Sequence, residues 1–153
     1  MTELNRKILT QDEIKRLSSV YLSTGRKQEI WEISHVEIED NVLTARIIMR
    51  SYYISSTDSG GFHLTIFSTL EFLSQLIIIY AHVWAGLTDK TREGWMIESS
   101  ISSKRMIRDP ENIQVRMEVS SIKKLGANIL AVTESQVFDS TGLFEARLKG
   151  FLS

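Results

Sequence analysis

The chain has no cysteine among its 153 residues, which removes disulfides, thiolate metal sites and a cysteine nucleophile together. Proline is almost missing as well. Pro110 stands alone, so no proline-rich linker or recognition segment divides the sequence. Histidine occurs only at 35, 63 and 82, a scatter that offers no metal site. An excess of charge is lacking too: 18 Lys and Arg against 19 Asp and Glu leave a net charge of −1. Non-specific nucleic-acid binding needs a basic surplus to neutralise phosphates, so no nucleic-acid partner is expected. HExxH, P-loop, GxGxxG and GxSxG patterns are absent. The opening residues, MTELNRKILTQDE, are polar and mixed in charge; a cytoplasmic protein without a secretory leader is the expectation.

What is there is one long apolar run, Phe62 to Leu87. Leu64 to Trp84 as a helix would measure about 32 Å, enough to span a bilayer. Glu71, Gln75 and His82 interrupt it, however, and an ionisable group at mid-bilayer costs a few kcal/mol. The reading is therefore a buried helix with no membrane span. Glu71 has no structural purpose in such a helix unless it is paired, because an isolated buried carboxylate is costly or shifts its pKa.

Around that run the patterns are clear. Thr10-Gln-Asp-Glu13 is a capping box opening an amphipathic helix with Ile14, Leu17, Val20 and Tyr21 on one side, ended by Ser23-Thr24-Gly25. Strand-like runs cover Gln28–Ile38 and Asn41–Ser51, with Asp40-Asn41 as the turn; in the second, Leu43, Ala45, Ile47 and Met49 alternate with Val42, Thr44, Arg46 and Ile48. Tyr52 to Gly61 is a polar loop before the long helix. Gly94–Arg108, the run from Ile113, Asn128–Phe138 and Leu143–Leu152 then read as strands, broken at Asp109-Pro110, Leu125-Gly126 and Asp139–Gly142.

One long helix and about six long strands predict an α+β hot-dog fold, a curled antiparallel sheet wrapped around the helix. The expected organisation is a single domain, 1–153, with 1–25 as an N-terminal helical segment. Exposed sheet edges predict pairing with a second copy, hence a homodimer or higher even oligomer.

The chemistry-bearing residues gather where the loop meets the helix. An imidazole at His63, beside Gly60-Gly61, suits proton transfer near neutral pH. First-turn N–H groups of a helix lack intrahelical partners and sit at the positive end of its dipole, where they can polarise a carbonyl. Tyr53 can add a phenolic hydrogen bond. Phe67, Leu70, Leu73 and Ile77 are the expected lining of an apolar slot between helix and sheet. The bland alternatives stay open: His63 as a helix cap or solvent residue, Glu71 as a structural acid paired with an Arg across a dimer, and Tyr53 as core. His35 and His82 read as structural. Lys104, Arg105 and Arg108 suit either solvent or an anionic partner, phosphates or an acidic protein.

Two branches of the hot-dog superfamily share features with these residues. Glu71-Phe-Leu-Ser-Gln75 resembles the helix of the 3-hydroxyacyl-carrier-protein dehydratases, where a loop His and the partner subunit's helix Glu form the active site. The Pro- and Gly-rich segment between those residues in that family is missing here. Tyr53-Ile-Ser-Ser-Thr57, His63-Leu-Thr65 and Ser74-Gln-Leu76 resemble the fatty-acyl thioesterases known from mycobacteria and related actinobacterial pathways. Some of their relatives add the nitrogen of glycine to a 2-enoyl thioester. Here the loop before His63 is longer, and Ser74 stands where that family can have Asn.

The resemblance covers Tyr52 to Gln75. It implies an enzyme acting on acyl thioesters of coenzyme A or acyl carrier protein, with no cofactor of its own beyond the pantetheine its substrate carries. His63, Tyr53 and Glu71 would be catalytic; Gly61, Leu64, Thr65, Phe67, Ser74 and Gln75 would bind substrate. Dehydration of a 3-hydroxyacyl thioester is the alternative reaction, and a non-catalytic acyl-binding module is the alternative of another class.

Overall fold

In a computed structural model the described residues are 8–17 and 29–153. They form α1 (Gln11–Leu17), β1 (Ile30–Glu39), β2 (Val42–Ser51), α2 (Ile66–Trp84), β3 (Gly94–Arg105), β4 (Ile113–Leu125), β5 (Asn128–Phe138) and β6 (Leu143–Leu152). The capping box forms as the sequence requires: Thr10 N–H donates to the Glu13 carboxylate at 2.8 Å, and Glu13 N–H donates to the Thr10 hydroxyl at 3.2 Å. The positions expected to continue that helix through Val20, Tyr21 and Gly25, and the start of the first expected strand at Gln28, lie outside the described residues.

All six strands join one antiparallel sheet in the order β1-β2-β4-β5-β6-β3. It curls around α2, giving the hot-dog arrangement. Period-2 alternation decides which face each residue takes. Leu43, Ala45, Ile47 and Met49 of β2 are buried, as are Ile113, Val115, Met117 and Val119 of β4 and Phe144, Ala146, Leu148 and Gly150 of β6. Against them α2 lays Phe72, Leu73, Leu76, Ile77 and Tyr80. Glycine decides how closely α2 approaches β3 and β6: a Cβ on Gly94 or Gly150 would stand 3.1 Å from Ile78 or Ile77. At the β1–β2 turn Asp40 takes a left-handed φ of 53°, and its carbonyl accepts the Tyr80 hydroxyl at 2.9 Å.

Three expectations are revised. The long helix begins at Ile66, not Phe62, because Thr65 is extended (φ −93°, ψ 155°) and caps it, accepting Ser68 N–H. Phe62 and Leu64 are buried as extended chain, Leu64 N–H donating to the Ile107 carbonyl at 2.9 Å. That same bond helps end β3 at Arg105, short of Arg108. Nor is α2 wholly buried within this chain: Ile66, Phe67, Glu71, Gln75, Val83 and Trp84 are exposed, since one curled sheet covers one side of a helix. Among the described residues α2 alone is long and apolar enough to cross a membrane.

Candidate functional site

The loop before α2 is built from short-range polar bonds. Ser55 N–H donates to the Asp58 carboxylate at 2.7 Å and Asp58 N–H returns to the Ser55 carbonyl at 2.9 Å. Gly61 then takes φ +74°, a conformation that disfavours any side chain. The Tyr52 ring packs on Phe62 with centroids 4.7 Å apart, which brings the neighbouring Tyr53, exposed at the surface, to the same region. His63 is half-buried between the two anchored residues Phe62 and Leu64. No hydrogen bond to its ring forms among the described residues.

The scaffold beneath His63 is a carboxylate knot. Asp139 accepts backbone N–H bonds from Arg108 (2.9 Å), Asp109 (3.0 Å), Thr141 (2.9 Å) and Gly142 (2.5 Å). Burial pushes its carboxyl up, but the four donors outweigh burial and bring it down to about 2. The β5–β6 turn and the β3–β4 connection are thereby tied together. From that connection the Ile107 carbonyl holds Leu64, and the Arg108 guanidinium reaches the Phe62 carbonyl at 3.5 Å. Loop, connection and turn are one assembly.

At the amino end of α2 the structure adds a residue that sequence reasoning missed. Glu29, just before β1, accepts the Thr65 hydroxyl at 3.2 Å and the Ser68 hydroxyl in a short bond. Ser68 and Thr69 are fully buried; the Thr69 hydroxyl donates to the Thr65 carbonyl at 2.8 Å. A carboxylate beside a helix amino terminus is favoured by the dipole. The usable signal was the cluster Thr65, Ser68, Thr69 on a helix turn due for burial, since three hydroxyls there demand partners.

Glu71 lies farther along α2, exposed, and accepts the Trp31 indole N–H at 3.3 Å; the Trp31 ring stands edge-on to Phe72 at 6.2 Å. No hydrogen bond or ion pair joins His63 to Glu71 among the described residues. Ser74 and Gln75 lie about 13–15 Å along the helix from Thr65. The Ser74 hydroxyl donates to the Leu70 carbonyl at 2.6 Å.

Ser74 lines an apolar cavity of about 150 Å³ with Ile77, Ile78, Gly94, Met96 and Gly150. Gln75 lines a hollow of about 200 Å³ with Ile78, Ile79, His82, Leu87, Asp89 and Lys90. Of the expected slot residues, Leu73 and Ile77 are buried, Leu70 is partly buried and Phe67 is exposed. Gly61, His63, Leu64 and Thr65 are thus brought into one anchored segment. Glu71, Ser74 and Gln75 run away from it along the helix.

Known structures share this architecture. A candidate thioesterase from Lactococcus lactis matches with a TM-score of 0.60 at 11% identity, over 79% of this chain and 92% of that one. A thioesterase from Haemophilus influenzae matches at 0.54 and 13% identity, covering 96% and 92%. A dehydratase heterocomplex from Xenorhabdus doucetiae matches at 0.57 and 13%, covering 79% and 82%. At these identities the likeness is one of fold. No protein-family model and no curated protein matches the sequence.

Proposed function

We propose that this protein is an enzyme of acyl-thioester chemistry, cleaving a fatty-acyl thioester of coenzyme A or acyl carrier protein with His63 as general base. The observation that carries this reading is the position of His63. It is a half-buried imidazole on a rigidly anchored segment, two residues before the cap of α2. The fold neighbours described as thioesterases support the substrate class.

In the proposed reaction the thioester carbonyl sits against the amino end of α2, on the side away from Glu29, where the positive end of the helix dipole stabilises the oxyanion. His63 takes a proton from water as the oxygen attacks the carbonyl carbon, and returns it to the departing thiolate. Tyr53 supplies a further hydrogen bond. Glu71, held by Trp31 and turned away from His63 within one chain, orients the nucleophile at the partner's His63 in the homodimer. The apolar cavity beside Ser74, Ile77 and Met96 takes the far end of the acyl chain. Attack of glycine nitrogen on the β-carbon of a 2-enoyl thioester uses the same polarised carbonyl. β1 and β3 terminate the sheet, so the same reading includes a homodimer paired along one of these edges.

Mass spectrometry of pantetheine-linked acyl substrates, with and without glycine, tests the proposal. Loss of the acyl group, abolished by His63→Ala, is the expected result. A mass gain equal to glycine identifies conjugate addition. Loss of water identifies dehydration, and binding without turnover across chain lengths and carriers overturns the enzymatic reading.

A further inference from the structure

The direction of the His63 side chain is set by the two peptide groups beside it, because planar peptides leave only φ and ψ free to turn. The peptide after it is fixed through its N–H: Leu64 donates to the Ile107 carbonyl at 2.9 Å. The peptide before it is held through its carbonyl: Phe62 accepts from Nη1 of Arg108 at 3.5 Å. Two consecutive residues of the β3–β4 connection therefore hold both sides of His63, Ile107 by its backbone and Arg108 by its side chain.

Arg108 has a fixed base from which to do this. Its own N–H and that of Asp109 donate to the Asp139 carboxylate at 2.9 and 3.0 Å. From there the side chain crosses the backbone at Gly60, and Nη2 reaches the Met106 sulfur at 3.0 Å. A Cβ on Gly60 would overlap the guanidinium itself. The space of that missing side chain is the seat in which the guanidinium lies. What a methyl group there would meet is the end of a flexible side chain, so it would dislodge the guanidinium and leave the fold intact.

An exposed arginine ordinarily faces solvent or meets a phosphate. Neither use calls for a bare glycine beneath the guanidinium, nor for a bond to the carbonyl that adjoins His63.

We propose that Arg108 is a positioning residue: seated on Gly60, it fixes the Phe62–His63 peptide and so the direction in which the imidazole points. The inference rests on His63 as the proposed general base. A long hydrogen bond at the surface adds little to stability. A reacting group misplaced by about 1 Å, in contrast, can cost about 10²-fold in rate. Loss of Arg108 therefore registers in turnover and hardly at all in melting.

Steady-state kinetics with an acyl-coenzyme A and with the matching acyl-N-acetylcysteamine thioester, which carries no phosphate, test the proposal. Arg108→Ala and Gly60→Ala should each lower kcat by about 10–100-fold on both substrates, with KM and melting temperature nearly unchanged. The double variant should be no slower than Arg108→Ala alone, because the added methyl then finds no guanidinium to displace. The imidazole signals of His63 in proton–carbon NMR spectra, assigned with His63→Ala, should move in both single variants.

A rise in KM confined to the coenzyme A substrate would give Arg108 to a phosphate and overturn the proposal. Full turnover in Arg108→Ala, or additive losses in the double variant, would do the same while His63→Ala stays inactive. A wild type that turns over neither substrate removes the general-base reading instead. The NMR signals then decide the placement of the ring, and the proposal falls if neither single variant moves them.

Discussion

The two ends of α2 handle burial in opposite ways. At the amino end three hydroxyls are interior or half-buried, and each is engaged: Thr65 and Ser68 with Glu29, Thr69 with the Thr65 carbonyl. At the carboxyl end His82 is buried, its Nδ1 bonded to the Ile78 carbonyl at 2.8 Å, while Nε2 is buried without a hydrogen-bond partner. An apolar cluster of Ala81, Ile129 and Leu152 with Ile78, Ala85 and Ile122 forms at this end, and His82 lines a hollow shared by Ile78, Ile79, Leu87, Asp89 and Lys90. A single helix thus has a wired end and a greasy end. The wired end holds bond donors and acceptors in fixed positions, as the proposed proton transfer and carbonyl binding would require.

That contrast can be broken from either side. His63→Ala should lower turnover of an acyl thioester by about 10²–10⁴-fold, the usual contribution of general base catalysis, with an unchanged melting temperature; steady-state kinetics and calorimetry test both parts.

Asp139→Asn attacks the scaffold of the same end. The native carboxyl titrates at about 2, below its ordinary 3.8. It therefore contributes stability that is fully present above about pH 4 and is lost as pH falls towards 2. The variant should be destabilised by about 2 kcal/mol at pH 7, with the difference shrinking in acid, as read from urea melts across that range.

Ser68→Ala should cost about 1–2 kcal/mol by removing a donor from a half-buried carboxylate, measured by the same melts. At the greasy end His82→Leu should leave turnover unchanged and shift stability by less than about 1 kcal/mol, because loss of the Nδ1 bond to the Ile78 carbonyl is offset by removal of the unpartnered Nε2. A loss of turnover in that variant would erase the distinction between the ends.

Most of the fold was legible because strand faces follow a period of two. Asn128–Phe138 and Leu143–Leu152 start and stop where Gly126 and the Asp139–Gly142 turn place them. The helix start was misread for a physical reason: Phe62 and Leu64 are as apolar as the helix that follows, and apolarity reports burial, not conformation. Thr65 with Ser68 three residues later was the true start signal. Of the candidate site, the sequence singled out Gly61, His63, Leu64 and Thr65, which lie on one anchored segment. Glu29 was not, because it meets Thr65 and Ser68 from 36 and 39 positions away and no local pattern encodes such a pairing. The cavity against Ile78 and Met96 was not legible for a similar reason: Gly94 and Gly150, which line it, sit on strands that become neighbours only in the folded sheet.

The knot at Asp139 also says where this molecule tolerates surgery. The Asp139 carboxylate takes two hydrogen bonds from its own turn and two from the β3–β4 connection, so lengthening either would unfasten both. The Gly126–Ala127 hairpin at the other end of β5 is exposed on both residues. A reporter peptide or an affinity tag belongs in that hairpin, while Ser140 and Thr141 are positions to leave at their native length.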